Sequence, residues 1–354
     1  MTKFEGAIAR NTGARDANPK YYFVQSGEEF SMQSKEPQRR NSSAISSGER
    51  HSYARKGPPR RRKNVWEWHK KELVAWSIML PGVVLFAFFV WSPLLESVRL
   101  SLYEAKGIRL QQFVCFDNYL RVFSHPNFSP ALRNTFLYIL WSLGLGFWVP
   151  IIIAALVSET AHFRGFFRVG VYFPNIIPGL ATVMMWGFLF RPGDTGVLNI
   201  FLHAFGIGPQ PWLTNPRWTI PLIILTMTWK SAGSTALIYM AGISGISPEL
   251  YEAATVDGAK PLKRFLHITL PGILELGKTL LILQVIAVFQ ILYEPLVMTN
   301  GGPNNASISI MQQVYKYAFE DYNYPMAAAL SVMISIILCV MTVVYFRVTK
   351  RAER

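Results

Sequence analysis

The residues with the clearest chemical spacing are Gly272-Ile-Leu-Glu-Leu-Gly277-Lys278-Thr279, which satisfy G-x-x-x-x-G-K-T. In a phosphate-binding loop the backbone N–H groups of such a run cradle nucleotide phosphates, while the Lys and Thr serve phosphate and magnesium. That chemistry needs a buried strand before the loop, a soluble helix after it, and further strands carrying an acidic magnesium partner. Here Pro271 precedes the first glycine, and Leu-Leu-Ile-Leu-Gln-Val-Ile-Ala-Val-Phe follows Thr279. The spacing therefore predicts a lysine at the cytoplasmic end of an apolar span rather than a nucleotide site. The six histidines are scattered without ligand spacing, and no nucleophile, base and orienter can be assembled. No reaction on a substrate is expected.

A second set of polar residues lies inside apolar stretches, where each costs a few kcal/mol unless it faces a cavity or a partner. Gln290 and Glu294 fall at i and i+4, with Tyr293 beside Glu294. Thr226, Lys230, Gly233 and Ser234 form another stripe, and Asn175, Pro178, Gly179 and Thr182 a third, with Trp186 one turn further on. Amide and carboxylate groups beside aromatic rings suit a hydroxyl-rich solute, so Asn175, Trp186, Lys230, Gln290, Tyr293 and Glu294 are the substrate-path candidates. The competing reading is that these groups only bridge helices. It is stronger for Lys230, which at 1.5 Å per residue sits about 10 Å deeper from the outer face than Glu294, so no salt bridge between them is expected.

Positioning such residues requires membrane spans, and the composition agrees. Of 354 residues, 51% are hydrophobic and 16% charged, with a mean hydropathy of +0.23. The net charge of +14 is uneven: 16 of 35 Lys and Arg and 7 of 21 Asp and Glu fall in residues 1–71, about +9 on that segment and +5 on the rest. Residues 1–71 lack a sustained apolar period and are predicted to be a disordered, basic cytoplasmic tail. Arg60-Arg61-Arg62-Lys63 has no aromatic stacking platform beside it, so it reads as a positive-inside anchor facing lipid headgroups and not as a nucleic-acid site. The two cysteines, Cys115 and Cys339, make no disulfide framework or cysteine zinc site.

Six stretches are long enough to cross about 30 Å of hydrocarbon, which takes roughly 20 residues. Their limits are about 74–95, 132–157, 169–190, 218–243, 277–299 and 327–346 within a domain spanning 72–354. Each contains Gly, Pro or small polar residues suited to close helix packing. Lys and Arg in the 158–168 loop, the 244–276 loop and the C-terminus place these inside, with both termini cytoplasmic, although Arg99, Lys106, Arg109 and Arg121 in the 96–131 loop vote the other way. The architecture predicted is an all-α, six-span integral membrane protein.

The longest cytoplasmic connection, residues 247–272, has the pattern of a short capped helix. Ser247 suits the N-cap, Pro248 the first helical position, Glu249 and Glu252 the positive end of the helix dipole, and Gly258 a left-handed stop. Leu250, Ala253, Ala254 and Asp257 share one mostly small side, which lets another protein's surface approach closely. The run Glu252-Ala253-Ala254, three residues, Gly258, nine residues, Ile268, one residue, Leu270-Pro271 resembles, at every spacing, the signature loop of permease subunits of binding-protein-dependent ABC importers. Phe116-Asp-Asn-Tyr119, Asn134-Thr135, Gly196-Val-Leu-Asn199, Trp212-Leu213 and Met298-Thr-Asn-Gly-Gly-Pro303 are similar to stretches of its carbohydrate, maltose-transporter-like branch. The resemblance covers roughly residues 75–346 and leaves the tail without a counterpart.

The resemblance implies a subunit of a bacterial plasma (inner) membrane importer working by alternating access. It implies that the loop, through Glu252, Ala253, Ala254, Asp257, Gly258, Ile268, Leu270 and Pro271, forms a coupling helix docking on a dimer of ATPase subunits. ATP and magnesium would be bound there, with no cofactor on this chain. It also implies a second, different permease subunit, an extracytoplasmic solute-binding protein and a sugar or polyol substrate. A non-carbohydrate permease, a passive channel and a membrane ATPase acting through residues 272–279 are the rival readings.

Overall fold

In a computed structural model, the described residues are 65–352 except 108, 161 and 162. Residues 1–64, including Arg60–Lys63 and most of the predicted tail, lie outside them. The described chain is helical with one small sheet: α1 Val65–Phe86, α2 Ser92–Ser101, β1 Tyr103–Lys106, β2 Arg109–Phe113, α3 Asp117–Ser124, α4 Phe128–Gly144, α5 Trp148–Glu159, α6 Arg164–Ile176 and α7 Gly179–Leu189. There follow α8 Val197–His203, α9 Pro216–Ser244, α10 Pro248–Val256, α11 Pro261–Arg264, α12 Leu270–Gly272, α13 Leu274–Phe289, α14 Tyr293–Thr299, α15 Ile310–Tyr315 and α16 Tyr324–Ala352. The β1–β2 hairpin corrects the all-α expectation. Tyr103 pairs with Phe113 across it, their rings meeting edge to face at 5.3 Å, a cross-strand contact that stabilises a short ribbon.

Among the described residues, three helical stretches are long and apolar enough to cross a membrane: Glu72–Ser101, Phe128–Glu159 and Tyr324–Lys350. Two bent pairs raise the number to five if each is taken as one span: Gly165–Ile176 with Gly179–Leu189, bent by 91°, and Pro261–Gly272 with Leu274–Phe289, bent by 70°. The remaining predicted span, 218–243, is the unbroken 29-residue α9, in which Lys230 and its neighbouring Ser and Thr lower the apolar content. Only part of the predicted regularity therefore holds. The third span is two helices meeting at Ile177-Pro178, because proline has no N–H to continue the helix and excludes helical geometry from the residue before it. The fifth ends at Phe289 and restarts at Tyr293.

Packing centres on α9, which lies against α4, α5 and α6. Toward one end of α9, Ala236, Tyr239, Met240 and Ile243 bury against Ile151, Ala154, Val157 and Ile273; toward the other, Ile220, Ile223 and Ile224 bury against Tyr138, Val288 and Ile291. Close approach depends on two glycines. A Cβ on Gly233 would lie 1.9 Å from the Val171 carbonyl oxygen of α6, and one on Gly146 would lie 2.4 Å from Gln284 Nε2 of α13. The first span is different: α2 packs on α16, while the apolar residues of α1 from Leu73 onward are exposed.

The same substitution at two glycines checks this packing. Gly233→Ala forces α6 away from α9 and is expected to cost about 1–3 kcal/mol. Gly144→Ala enters open space and is expected to stay within about 0.5 kcal/mol of wild type. Thermal denaturation of the detergent-solubilised protein reads both, and equal melting temperatures would contradict the packing.

Candidate functional site

The α10 helix forms where the loop composition placed it. Pro248 occupies the first turn with Glu249, and Ser247 stands at the N-cap, but its hydroxyl makes no capping bond, contrary to expectation; its carbonyl instead accepts from Leu250 N–H at 3.2 Å. The other end is fully built. Gly258 N–H donates to Thr255 O at 3.0 Å and Ala259 N–H to Ala254 O at 2.9 Å, the paired bonds of a Schellman stop. Gly258 has φ +71° with no atom within 4 Å of an added Cβ, so conformation and not space selects glycine here.

Glu252, Ala253 and Asp257 are exposed together with Leu250 and Val256, while Ala254 and Tyr251 turn partly toward the protein body. Asp257 is the C-cap residue. Ile268 is half-buried in the turn after α11, Leu270 packs into the cluster around Tyr239, and Pro271 is exposed in α12.

Two side-chain ties join α10 to the spans, and neither is signalled by the sequence pattern. The Tyr251 hydroxyl lies 2.9 Å from that of buried Thr269. Arg264 donates from Nη1 to Thr255 Oγ1 at 3.2 Å and from Nη2 to Glu159 Oε1, at the end of α5, at 3.5 Å. Tyr251, Thr255, Arg264, Thr269 and Glu159 are ordinary residues in a polar loop and at a helix end, so only the fold brings them together.

Residues 272–279 do not form a phosphate cradle. Gly277 N–H donates to Ile273 O at 2.8 Å inside a helix, so its backbone donor is already used. Lys278 pairs with Glu275 one turn back. Gly272 serves packing, since a Cβ there would meet Ile246 Cδ1 at 2.5 Å.

The substrate-path candidates gather around the two broken spans. Lys230 Nζ donates to Ile177 O at 2.6 Å and reaches Asn175 O at 3.5 Å, so the ammonium occupies carbonyls freed at the α6–α7 break, and Asn175 takes part through its backbone. Trp186 of α7 packs on Phe190 at 5.2 Å and Trp229 at 5.6 Å, and its indole Nε1 is buried without a hydrogen-bond partner. Gln290 and Glu294 do not share a helical face, because α13 stops at Phe289. Gln290 is the exposed residue at that stop, exposed Tyr293 opens α14, and half-buried Glu294 follows it in the first turn of that helix, which packs against α7 and α9.

At the far side of the α13–α14 break, stretches far apart in sequence become one network. Asn134 Nδ2 donates to Asn305 O at 2.7 Å and Ile308 O at 3.1 Å, Tyr138 Oη to Ser307 O at 2.8 Å, and Ile310 N–H to Thr135 Oγ1 at 3.0 Å. Ser309 Oγ then donates to Ile291 O, within the break itself, at 2.6 Å. Two further asparagines act alike. Buried Asn118 donates to Ser101 O and Tyr103 O, each at 2.9 Å; buried Asn199 donates to Gly193 O and Gln210 O, each at 3.0 Å, and accepts from Trp212 Nε1 at 2.7 Å.

Residues 146–354 match the family of binding-protein-dependent transport system inner membrane components. The chain is 30% identical over 290 residues to a probable ABC transporter permease protein, YurN, of Bacillus subtilis, covering 80% of this chain and 99% of the relative. It is 27% identical over 286 residues to the arabinooligosaccharides transport system permease protein AraP of the same organism, covering 80% and 90%. Among solved structures it is similar to a bacterial alginate ABC transporter in complex with an alginate pentasaccharide-bound periplasmic protein, with a TM-score of 0.73 and 25% identity over 82% of this chain and 98% of that one. With the capped loop, broken spans and these matches together, the chain belongs to the inner-membrane permease components of binding-protein-dependent ABC transport systems.

Proposed function

We propose that this chain is the permease subunit of an ATP-driven importer for a sugar or oligosaccharide. The observation that carries the coupling role is α10: a short, exposed helix, stopped by Gly258 and held to the body by two ties, in the family's signature spacing. Relatives named for arabinooligosaccharide and alginate transport support the carbohydrate class. In this reading the chain makes six spans with both termini cytoplasmic, α10 docks on an ATPase subunit that binds ATP and magnesium, a second permease completes the pathway, and a solute-binding protein delivers the sugar.

The mechanism follows from what each group can do. When the ATPase subunits close, they pull on the exposed side of α10 at Glu252 and Ala253. Tyr251–Thr269 and Arg264–Glu159 pass that displacement to the α12–α13 turn and to the end of α5. The spans then rock between inward-facing and outward-facing states. Trp186 supplies an aromatic face and Glu294, Gln290 and Tyr293 hydrogen-bonding groups beside the breaks, the combination that holds a hydroxyl-rich ring. Lys230 is a positioning residue in this scheme, since its donors are directed to the Asn175 and Ile177 carbonyls.

Gly258→Val is expected to abolish sugar uptake while the protein still inserts, since a β-branched residue pays at least the roughly 1–2 kcal/mol left-handed penalty. Membrane-fraction blotting and radiolabelled uptake read both properties, and normal uptake would contradict the coupling assignment. Tyr251→Phe combined with Arg264→Ala is expected to leave ATP hydrolysis by the assembled complex in place while lowering sugar moved per ATP; an unchanged ratio would remove the ties from the mechanism. Glu294→Ala is expected to change uptake or sugar preference without releasing the ATPase, and an unchanged profile would return Glu294 to a helix-bridging role.

A further inference from the structure

A cleft of about 740 Å³ opens between the end of α5, the inner side of α10 and the α11 turn. Its volume falls in the ~300–1,000 Å³ range of small-molecule sites. The lining divides by polarity. Ile152, Ala155, Leu156, Ile243, Leu262 and Phe265 make an apolar wall, and Ser158, Glu159, Tyr251, Arg264 and Thr269 a polar end. Ile152 and Leu156 are exposed on the outward side of α5, so the apolar wall continues onto the surface that a span presents to its surroundings. At the polar end, Arg264 uses its Nη atoms on Thr255 and Glu159, while its Nε is buried without a hydrogen-bond partner. Lys260 and Lys263 are exposed on the same turn, and Glu159 is the one acidic group in the lining.

We propose that this cleft binds an anionic phospholipid of the inner leaflet, with an acyl chain along α5 and the headgroup at Arg264. The amphipathic division fits a lipid better than a soluble metabolite, whose whole surface is hydrated. The charge fits an anionic headgroup: the Arg264 guanidinium lines the cleft, Lys260 and Lys263 are exposed on the same turn, and Glu159 is already held by Arg264. Because the cleft is bordered by Tyr251 of α10 and by Glu159 of α5, an occupant touches both ends of the ties that link the coupling helix to the spans. Lipid composition then sets how firmly α10 is held. The choice of leaflet rests on the orientation proposed above; the cleft itself does not.

The complex containing the full chain, reconstituted in phosphatidylcholine vesicles, is labelled with a minor fraction of phosphatidylglycerol carrying a diazirine on its acyl chain. Labelled peptides are mapped, with sugar-stimulated ATP hydrolysis and uptake measured in parallel. The adducts are expected in residues 148–159 and 261–269. Arg264→Gln, which removes a charge, is expected to lower labelling about fivefold, the ratio equivalent to about 1 kcal/mol per basic residue near anionic lipid, and Ala155→Trp, which fills the cleft, to lower it as well. Arg264→Lys is expected to retain it, and phosphatidylcholine with the same diazirine to label wild type only at the lower level. Equal labelling by both lipids, no loss in either variant, or adducts confined to other segments would overturn the proposal. So would labelling that emerges only after the ATPase is stripped away, which would give the cleft to that interface. An active, unlabelled complex counts against the lipid site alone, and a labelled complex without transport against the importer reading alone.

Discussion

Every backbone N–H and C=O placed in hydrocarbon needs a partner inside the protein, and this requirement shapes the rest of the structure. An unbroken helix meets it automatically, as α9 and α16 do. The third and fifth spans break, and each break frees carbonyls at a depth where water is scarce. Lys230 Nζ takes Ile177 O at 2.6 Å, and Ser309 Oγ takes Ile291 O at 2.6 Å. Where α4 gives way to α5, Gln284 Nε2 donates to Ser142 O at 3.0 Å. Irregular backbone is tolerated because a polar side chain from a neighbouring element is delivered to it.

The two ends of the proposed pathway are held differently. Beyond the α13–α14 break, Asn134 and Tyr138 of α4 bond loop carbonyls at Asn305, Ser307 and Ile308, Thr135 accepts from Ile310 N–H, and Ser309 ties the loop back to Ile291. Buried hydrogen bonds of this kind favour a single arrangement, although Asn134 Oδ1 is left without a partner among the described residues. At the opposite end, α10 is joined to the spans by a hydroxyl pair and a long, half-exposed Arg–Glu contact, which are ties that can move with the helix. A loop fixed by buried bonds at one end and a jointed helix at the other suit the rocking proposed for this chain.

Much of this was legible from residue types. The positive φ of Gly258 follows from a glycine placed directly after the C-cap Asp257 of α10, and the second and sixth spans follow from their apolar runs. Asn118, Asn134 and Asn199 all sit in stretches that resemble the carbohydrate branch, and all proved to be buried residues that bond loop backbone. What was not legible depends on three-dimensional competition. Pro178 reads in the sequence only as part of a small polar stripe, and the 91° turn beside it does not follow from that, because a proline can equally well kink a helix. Gln290 and Glu294 read as one face only on an uninterrupted helix, and the apolar Ile291-Leu292 between them gives no sign of the stop. The Ser247 hydroxyl had a free choice of partners and makes no cap bond. Lys230 looked like a burial problem until the freed carbonyls of α6 were in place. The β1–β2 hairpin, within a polar connection, is too short for its alternation to stand out.

The most direct test of coupling through α10 is to tag this chain, extract it gently from native membranes and identify the proteins that accompany it by mass spectrometry, comparing wild type with a Glu252→Ala, Gly258→Val double variant. Coupling through this loop predicts that a P-loop ATPase and a second permease are recovered with wild type, and that the ATPase is lost or weakened in the variant. Recovery of the chain alone, or of the ATPase in equal amounts from both, would contradict it.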